Sequence, residues 1–230
     1  MRNWLPAIAL SVAAATQSVA QAAPPAHVEI DYQVLHNGGP LATVKHVLEH
    51  DGSTYRLSET WEGSGLLALL GEIRRTSHGR VTPGGLRPLE YVDKRPRRDT
   101  AIARFSWEEH TLTQQFRNGP RTQPLPPHAQ DRLSFFFAPA FHDPGSQRLE
   151  FNVADGKGVS HYQFDVKGRE RLTVPAGEFD ALRLDQVDDG GRTTQIWLDA
   201  RRSYLPLRLL VVQKGGTRID QVAARITTAQ

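Results

Sequence analysis

Turn signals punctuate this chain at short intervals: Asn37-Gly38-Gly39-Pro40, Asp51-Gly52, Pro83-Gly84-Gly85, Asn118-Gly119-Pro120, Asp155-Gly156, Asp189-Gly190-Gly191 and Gly215-Gly216. Between them the residues alternate. Val28, Ile30, Tyr32 and Val34 interleave with Glu29, Asp31 and Gln33, and Tyr162, Phe164 and Val166 interleave with His161, Gln163 and Asp165. Period-2 alternation is the mark of a strand buried on one face. Short strands with turns roughly every 8–12 residues argue for an antiparallel sandwich or barrel and against βαβ units. The same pattern gives about a dozen candidate strands. No internal repeat is visible, and the one long loop-like interruption is proline-rich, from Gly119 to Ala129.

Two segments break the strand pattern. "SGLLALLG", Ser64 to Gly71, is an apolar patch bracketed by glycines; it reads as a connector touching the core, with a flap over a cavity as the alternative. "DRLSFFFAP", Asp131 to Pro139, reads as a short helix. Asp131 is placed to cap its N-terminus, and Pro139 should end it. Phe135, Phe136 and Phe137 are consecutive, so they cannot share one narrow helical stripe; at least one ring should meet a second surface, core or ligand.

The first 22 residues resemble a secretory signal peptide: Arg2, an apolar run from Trp4 to Ala15, and Ala20-Gln21-Ala22 as the cleavage site. The expectation is cleavage near Ala22, a single β-rich domain over 23–230 and a periplasmic or secreted location. No later run approaches the roughly 18 apolar residues of a spanning helix, so no transmembrane segment is expected in the mature chain. The chain has no cysteine. That excludes disulfides, and it excludes lipid anchoring through a cysteine after the signal. The core alone must hold the fold, and a chain of this length can bury roughly 70% of its extended surface. A formal charge of +3 is no nucleic-acid footprint, which needs basic residues clustered on one face.

"HVLEH", His46 to His50, matches the H-x-x-E-H pattern of a class of zinc peptidases. That chemistry needs a helix, with both histidines on one face and the glutamate within reach of the metal-bound water. Here Asp51-Gly52 follows at once, a strong hairpin signal. On a strand His46 and His50 share a face about 13 Å apart while Glu49 points to the other. The match is read as accidental, and no metal, cofactor or catalytic residue is assigned. Neither a G-x-S-x-G elbow nor a phosphate-cradling loop is present. The nine histidines are assigned to the surface, the usual place for that residue outside a site. Arg95-Pro96-Arg97-Arg98 is the densest basic cluster. It reads as a solvated loop or as a contact for an anionic envelope component.

Three blocks carry a resemblance. "GGLRPLEYVDKR" (Gly84 to Arg95) is followed by "RFSW" (Arg104 to Trp107); then comes "AQDRLSFFF" (Ala129 to Phe137); last are "VPAGEFDALRL" (Val174 to Leu184) and "IWLDARRSYLPLRL" (Ile196 to Leu209). In content and order they resemble the bacterial exported "domain of unknown function 3108" family. The resemblance covers most of the mature chain and implies no catalytic residue. It implies, by looser analogy with the half-barrel of envelope lipoprotein carriers, a mainly β fold: a single large curved antiparallel sheet, half-barrel or open barrel, with one or two short helices. Fold alone does not give function.

Three functional readings follow. The first is a periplasmic module that binds a lipid or other apolar or amphipathic ligand in the concave face of the sheet, lined by Phe135, Phe136, Phe137, Leu66, Leu69, Trp107 and Trp197. Tyr91, Arg95, Arg97, Arg98 and Asp131 are its candidate polar or anion-contacting groups. The second is an envelope scaffold with a protein partner. The third is an enzyme using the same cavity, the least favoured of the three.

Overall fold

The computed structural model describes residues 24–141, 145, 148–187 and 190–229. The expected signal peptide and Asp189 of the Asp189-Gly190-Gly191 turn signal lie outside the described residues. Eight strands form an unbroken antiparallel meander: β1 (His27–His36), β2 (Gly39–His50), β3 (Thr54–Gly63), β4 (Ile73–Thr82), β5 (Gly85–Lys94), β6 (Ala101–Ser106), β7 (Thr111–Phe116) and β8 (Gly119–Pro124). A short β9 (Ala129–Asp131) then leads into the helix α1 (Ser134–Phe141). A second meander follows: β10 (Arg148–Ala154), β11 (Val159–Val174), β12 (Gly177–Gln186), β13 (Thr193–Asp199), β14 (Leu205–Val212) and β15 (Arg218–Ala229).

All fifteen strands belong to one sheet, because β1 pairs with β15 and joins the two meanders at its centre. The two edges are therefore β8 and β9. These edges are also consecutive in sequence, separated only by residues 125–128. Laid flat, fifteen strands would put the edges roughly 67 Å apart, at about 4.8 Å per spacing. A linker of this length bridges less than about 20 Å at full extension. Connectivity alone thus forces the sheet to curl until its edges approach. They do not pair, so the curl stops short of a closed barrel. This is the expected fold class; its one departure is the parallel pairing of β9 with β10, every other neighbour being antiparallel.

Local chemistry assists the bend. Register shifts fall at Asp31/Tyr32, Val34/Leu35, His78/Gly79, Val166/Gly168 and Trp197/Leu198, and each such irregularity kinks its strand. At Gly79 a Cβ would come within 2.1 Å of the Arg87 carbonyl oxygen and 2.8 Å of the Tyr55 ring, so only glycine fits under that ring. The edge strand β8 is exposed and carries Pro120 and Pro124, which cannot donate to a further strand and so discourage edge pairing.

The alternation seen in the sequence becomes an inner and an outer face. Val28, Ile30, Tyr32 and Val34 are buried, while their neighbours Glu29 and Asp31 form an outer ion-pair ladder with Lys45 and Arg225. Helix α1 crosses the inner face, packed against β5, β9 and β14. Phe136 and Phe137 are buried in that contact and Phe135 partly so. The helix runs past Pro139, which the sequence reading took as its end, to Phe141. A two-turn helix held by its aromatic packing tolerates the loss of one backbone donor there.

Candidate functional site: a cavity under helix α1

The inner face carries polar groups where apolar ones are expected. His46 (β2), Glu59 (β3), Arg75 (β4) and Asp93 (β5) stand opposite one another in register across four adjacent strands, and all four are buried. Cross-strand opposition brings side chains on one face into contact. His46 Nε2 lies 2.8 Å from Glu59 Oε2, and an ionised carboxylate can only accept, so the imidazole donates. Arg75 Nη1 donates to Glu59 Oε1, its Nε lies 3.3 Å from Asp93 Oδ1, and Asp93 also accepts from Arg95 Nε and Nη2 at 2.9 and 2.7 Å. The result is a chain in which Glu59, Arg75, Asp93 and Arg95 alternate in charge, with the His46 imidazole hydrogen-bonded at its end. Burial acts to raise the Glu59 carboxyl, but the His46 hydrogen bond and the Arg75 and Arg132 charges outweigh it and hold it at about 2. The Asp93 carboxyl is likewise lowered: burial opposes, and Arg95 and Arg75 prevail.

A second network ties α1 to the sheet. Asp131 Oδ1 accepts from the backbone N–H groups of Leu133 and Ser134 at 2.8 and 2.9 Å, and the Ser134 hydroxyl accepts from the Asp131 N–H. This is the expected cap. Asp131 Oδ2 also accepts from Ser77 Oγ at 2.5 Å, and Ser77 meets the Tyr55 hydroxyl at 3.0 Å. Complete burial pushes the Asp131 carboxyl up to about 6 against these hydrogen bonds, which pull it down.

Between α1 and the inner face lies a cavity of about 620 Å³. One wall is apolar: Val34, Trp61, Phe135, Phe136, Leu209 and Ile219 are among its lining residues. Phe135 stacks on Phe164 at 6.4 Å and meets Tyr162 at 5.8 Å; these rings also line the space. Its polar lining groups include His46, Glu59 and Arg75 from the buried row, Arg95, and Arg132 at the foot of α1. A separate cavity of about 570 Å³ opens beside the β4–β5 turn and β9, with Trp107, Arg87 and Arg148 in its lining.

The residues singled out from the sequence divide accordingly. Phe135, Phe136 and Arg95 come together in the main cavity. Phe137 is core, in contact with His46 and Phe136. Trp107 belongs to the second cavity, its indole donating to the Pro88 carbonyl at 2.8 Å with Arg87 over its ring. Trp197 sits on the outer face, covered by Arg183 and Arg208. It cannot line the cavity because Ile196 and Leu198, its neighbours, take the inward positions. Leu66 and Leu69 lie in a 3-10 helix, Gly65–Leu70, that projects between β3 and β4 with no buried residue; they are 85% and 81% exposed. That segment is neither core connector nor cavity lining. Tyr91 and Asp131 are buried outside the lining, the first with a hydroxyl that has no hydrogen-bond partner among the described residues, the second with its carboxylate accepting from three protein donors. Arg97 and Arg98 are exposed in the β5–β6 loop.

The H-x-x-E-H match is resolved by the hairpin. His46 and Glu49 occupy opposite faces of β2, and among the described residues no group of three or more metal-ligating side chains is positioned to hold an ion. His46 itself corrects the assignment of histidines to the surface, being 3% exposed. Sequence reasoning passed over His46, Glu59, Arg75 and Arg132. The signal was parity: His46 keeps step with Val44 and Leu48, and Glu59 with Tyr55 and Leu57.

The family model described as "Protein of unknown function (DUF3108)" matches residues 28–221. No curated protein matches the chain. Among solved structures, a β-barrel-like protein of the family of unknown function DUF1849 from Brucella abortus superposes with a TM-score of 0.52 at 9% identity, covering 91% of this chain and 100% of that one. A Parabacteroides distasonis protein provisionally described as a lipoprotein gives 0.35 at 9% identity, covering 90% and 96%. The first likeness is one of fold.

Proposed function

We propose that this chain, which belongs to the DUF3108 family, is an exported envelope protein that holds an apolar or amphipathic, lipid-like ligand on the inner face of its curled sheet. The observation that carries this reading is the cavity under α1. Its volume of about 620 Å³ lies within the ~300–1,000 Å³ typical of small-molecule sites. Its wall sets a cluster of aromatic rings beside polar and charged groups, a more polar lining than that of a site for a purely apolar ligand and one that suits an amphipathic guest. The curl that encloses it is forced by the strand order. Export rests on the sequence of the first 22 residues, and among the described residues no helix is long and apolar enough to cross a membrane.

Native mass spectrometry of the mature protein, purified gently from a bacterial periplasm, tests the reading. A stoichiometric adduct of lipid mass is the expected result. A bare protein that also fails to take up added amphiphile refutes it. A second reading, an envelope scaffold, draws on the exposed Leu66, Leu67, Leu69 and Leu70 at the β3–β4 tip. A cluster of exposed leucines is an association surface more often than an idle one. In that case the bare protein should co-purify with a protein partner, and lose it when these leucines are replaced by serine.

A further inference from the structure

The charges lining the main cavity do not balance. Arg75, Arg95, Arg132, Lys157 and Arg192 face two carboxylates, Glu59 and Asp155. Arg75 and Arg95 are accounted for, since the buried row pairs them with Glu59 and Asp93. Asp155 is engaged as well, its Oδ1 accepting from the backbone N–H groups of Lys157 and Gly158 at 3.0 and 3.2 Å. Arg132, Lys157 and Arg192 then remain without a carboxylate partner among the described residues, one at the foot of α1 and two in the second meander, in the β10–β11 turn and beside β13. Arg132 stands close enough to the row to help lower the Glu59 carboxyl.

One buried lining group also lacks a partner. Thr194 Oγ1 makes no hydrogen bond among the described residues, although Thr194 is 7% exposed, and a hydroxyl can donate to an anion. Buried polar atoms normally have a partner. A cavity that combines an aromatic wall, surplus cationic charge and an unpaired hydroxyl is suited to one class of guest.

Resting on the ligand-binding reading above, we propose that the guest is an anionic amphiphile, an acyl chain bearing a carboxylate or phosphate headgroup. The headgroup is held by Arg132 with Lys157 and Arg192, and the chain lies along Phe135, Phe136 and Leu209. All three cations are exposed at the cavity, so a headgroup can reach them from solvent; a neutral lipid would make no use of them, and a free anion would leave the rings uncovered. Carboxylate and phosphate amphiphiles share this chemistry and are separated by experiment.

Palmitate, lysophosphatidylglycerol, hexadecanol and inorganic phosphate are titrated into the delipidated mature protein, and binding is followed by calorimetry and by the fluorescence of Trp61, which lines the cavity. At least one of the two anionic amphiphiles should bind ten times or more tighter than hexadecanol, and whichever binds tighter identifies the headgroup. Raising salt should weaken that binding. Arg132→Gln should reduce it about tenfold while leaving hexadecanol unchanged; Arg132 is exposed, so the variant should fold, which a thermal melt verifies. Lys157→Gln and Arg192→Gln give independent readings on the same headgroup. Hexadecanol binding as tightly as both anionic amphiphiles overturns the inference and leaves the ligand-binding reading standing. Inorganic phosphate binding as tightly as the amphiphiles also overturns it, since the chain then contributes nothing. No binding of any amphiphile overturns both readings.

Discussion

Asp131 offers a sharp test of how the helix is held to the sheet. Its carboxyl is fully buried and is raised to about 6, against roughly 3.9 for an unperturbed aspartate. An acid whose folded value is raised binds protons more tightly in the native state, so stability falls as pH rises from about 4 to about 6 and then stays lower. At about 1.4 kcal/mol per unit, the ionised form should cost the fold about 3 kcal/mol above pH 6. Asp131→Asn removes the charge and keeps an acceptor for the Leu133 and Ser134 N–H groups, and asparagine caps helices about as well as aspartate. Its Nδ2 would face Ser77 Oγ, which can accept by turning its own hydrogen toward Tyr55. The variant should therefore match the wild type near pH 4 and exceed it near pH 7.5 by up to about 3 kcal/mol. Asp131→Ala should instead lose stability near pH 4, by about 1 kcal/mol for the cap and a further ~1–3 for the donors left buried, and near pH 7.5 most of that loss should be offset because the penalty of the ionised carboxylate is removed as well. Urea midpoints at the two pH values measure both. Parallel pH curves for wild type and Asp131→Asn would refute the buried-charge argument.

The Glu59 carboxyl is shifted the other way, so its contribution is present above about pH 4.5 and is lost as pH falls toward 2. Glu59→Gln should cost roughly 3–5 kcal/mol at neutral pH, because His46 and Arg75 are then buried beside a neutral group; a loss below about 1 kcal/mol in urea denaturation would show that the row does not act as a unit. Phe137→Ala should cost ~3–5 kcal/mol, and Phe135→Ala distinctly less, since its ring is only partly buried and borders the cavity; thermal melts that reverse this order would contradict the packing described. Replacing Leu66 and Leu69 with serine should leave the urea midpoint within about 0.5 kcal/mol of wild type while weakening retention on a hydrophobic resin; a large stability loss would mean that the tip packs on something in solution.

Much of the architecture can be read from alternation and turns. The β2–β3 hairpin follows from Asp51-Gly52, where the Asp51 carboxylate accepts from the Ser53 and Thr54 N–H groups and Gly52 takes a positive φ. Asp131 was legible as a cap because its role is local. Its bond to Ser77, more than fifty positions away, was not, for pairing between distant strands depends on register that one sequence does not reveal. The buried row was half-legible: its members sit at inward positions of their strands, and a charged residue at an inward position needs a partner. Which partner it finds depends on sheet order. Trp197 shows the opposite error. Ring size suggested an inward position, yet alternation with Ile196 and Leu198 already set it on the outer face. The leucines of residues 65–70 suggest by composition a connector touching the core or a flap over the cavity, although four leucines in a six-residue segment cannot all turn to one side.

The strand order also sets the sequence of events in folding. β1 meets β15 with His27 opposite Ala229, so the central seam joins the two most distant parts of the described chain. Each meander can zip by local hairpins, but neither can cover its central edge until the other has been made. Late closure of such non-local pairings slows folding and leaves two long strands open to other chains in the meantime. By contrast, the outer edges at β8 and β9 are tied by residues 125–128 from the start. A break in the backbone there should be tolerated far better than loss of β15, which would unzip the molecule along its middle.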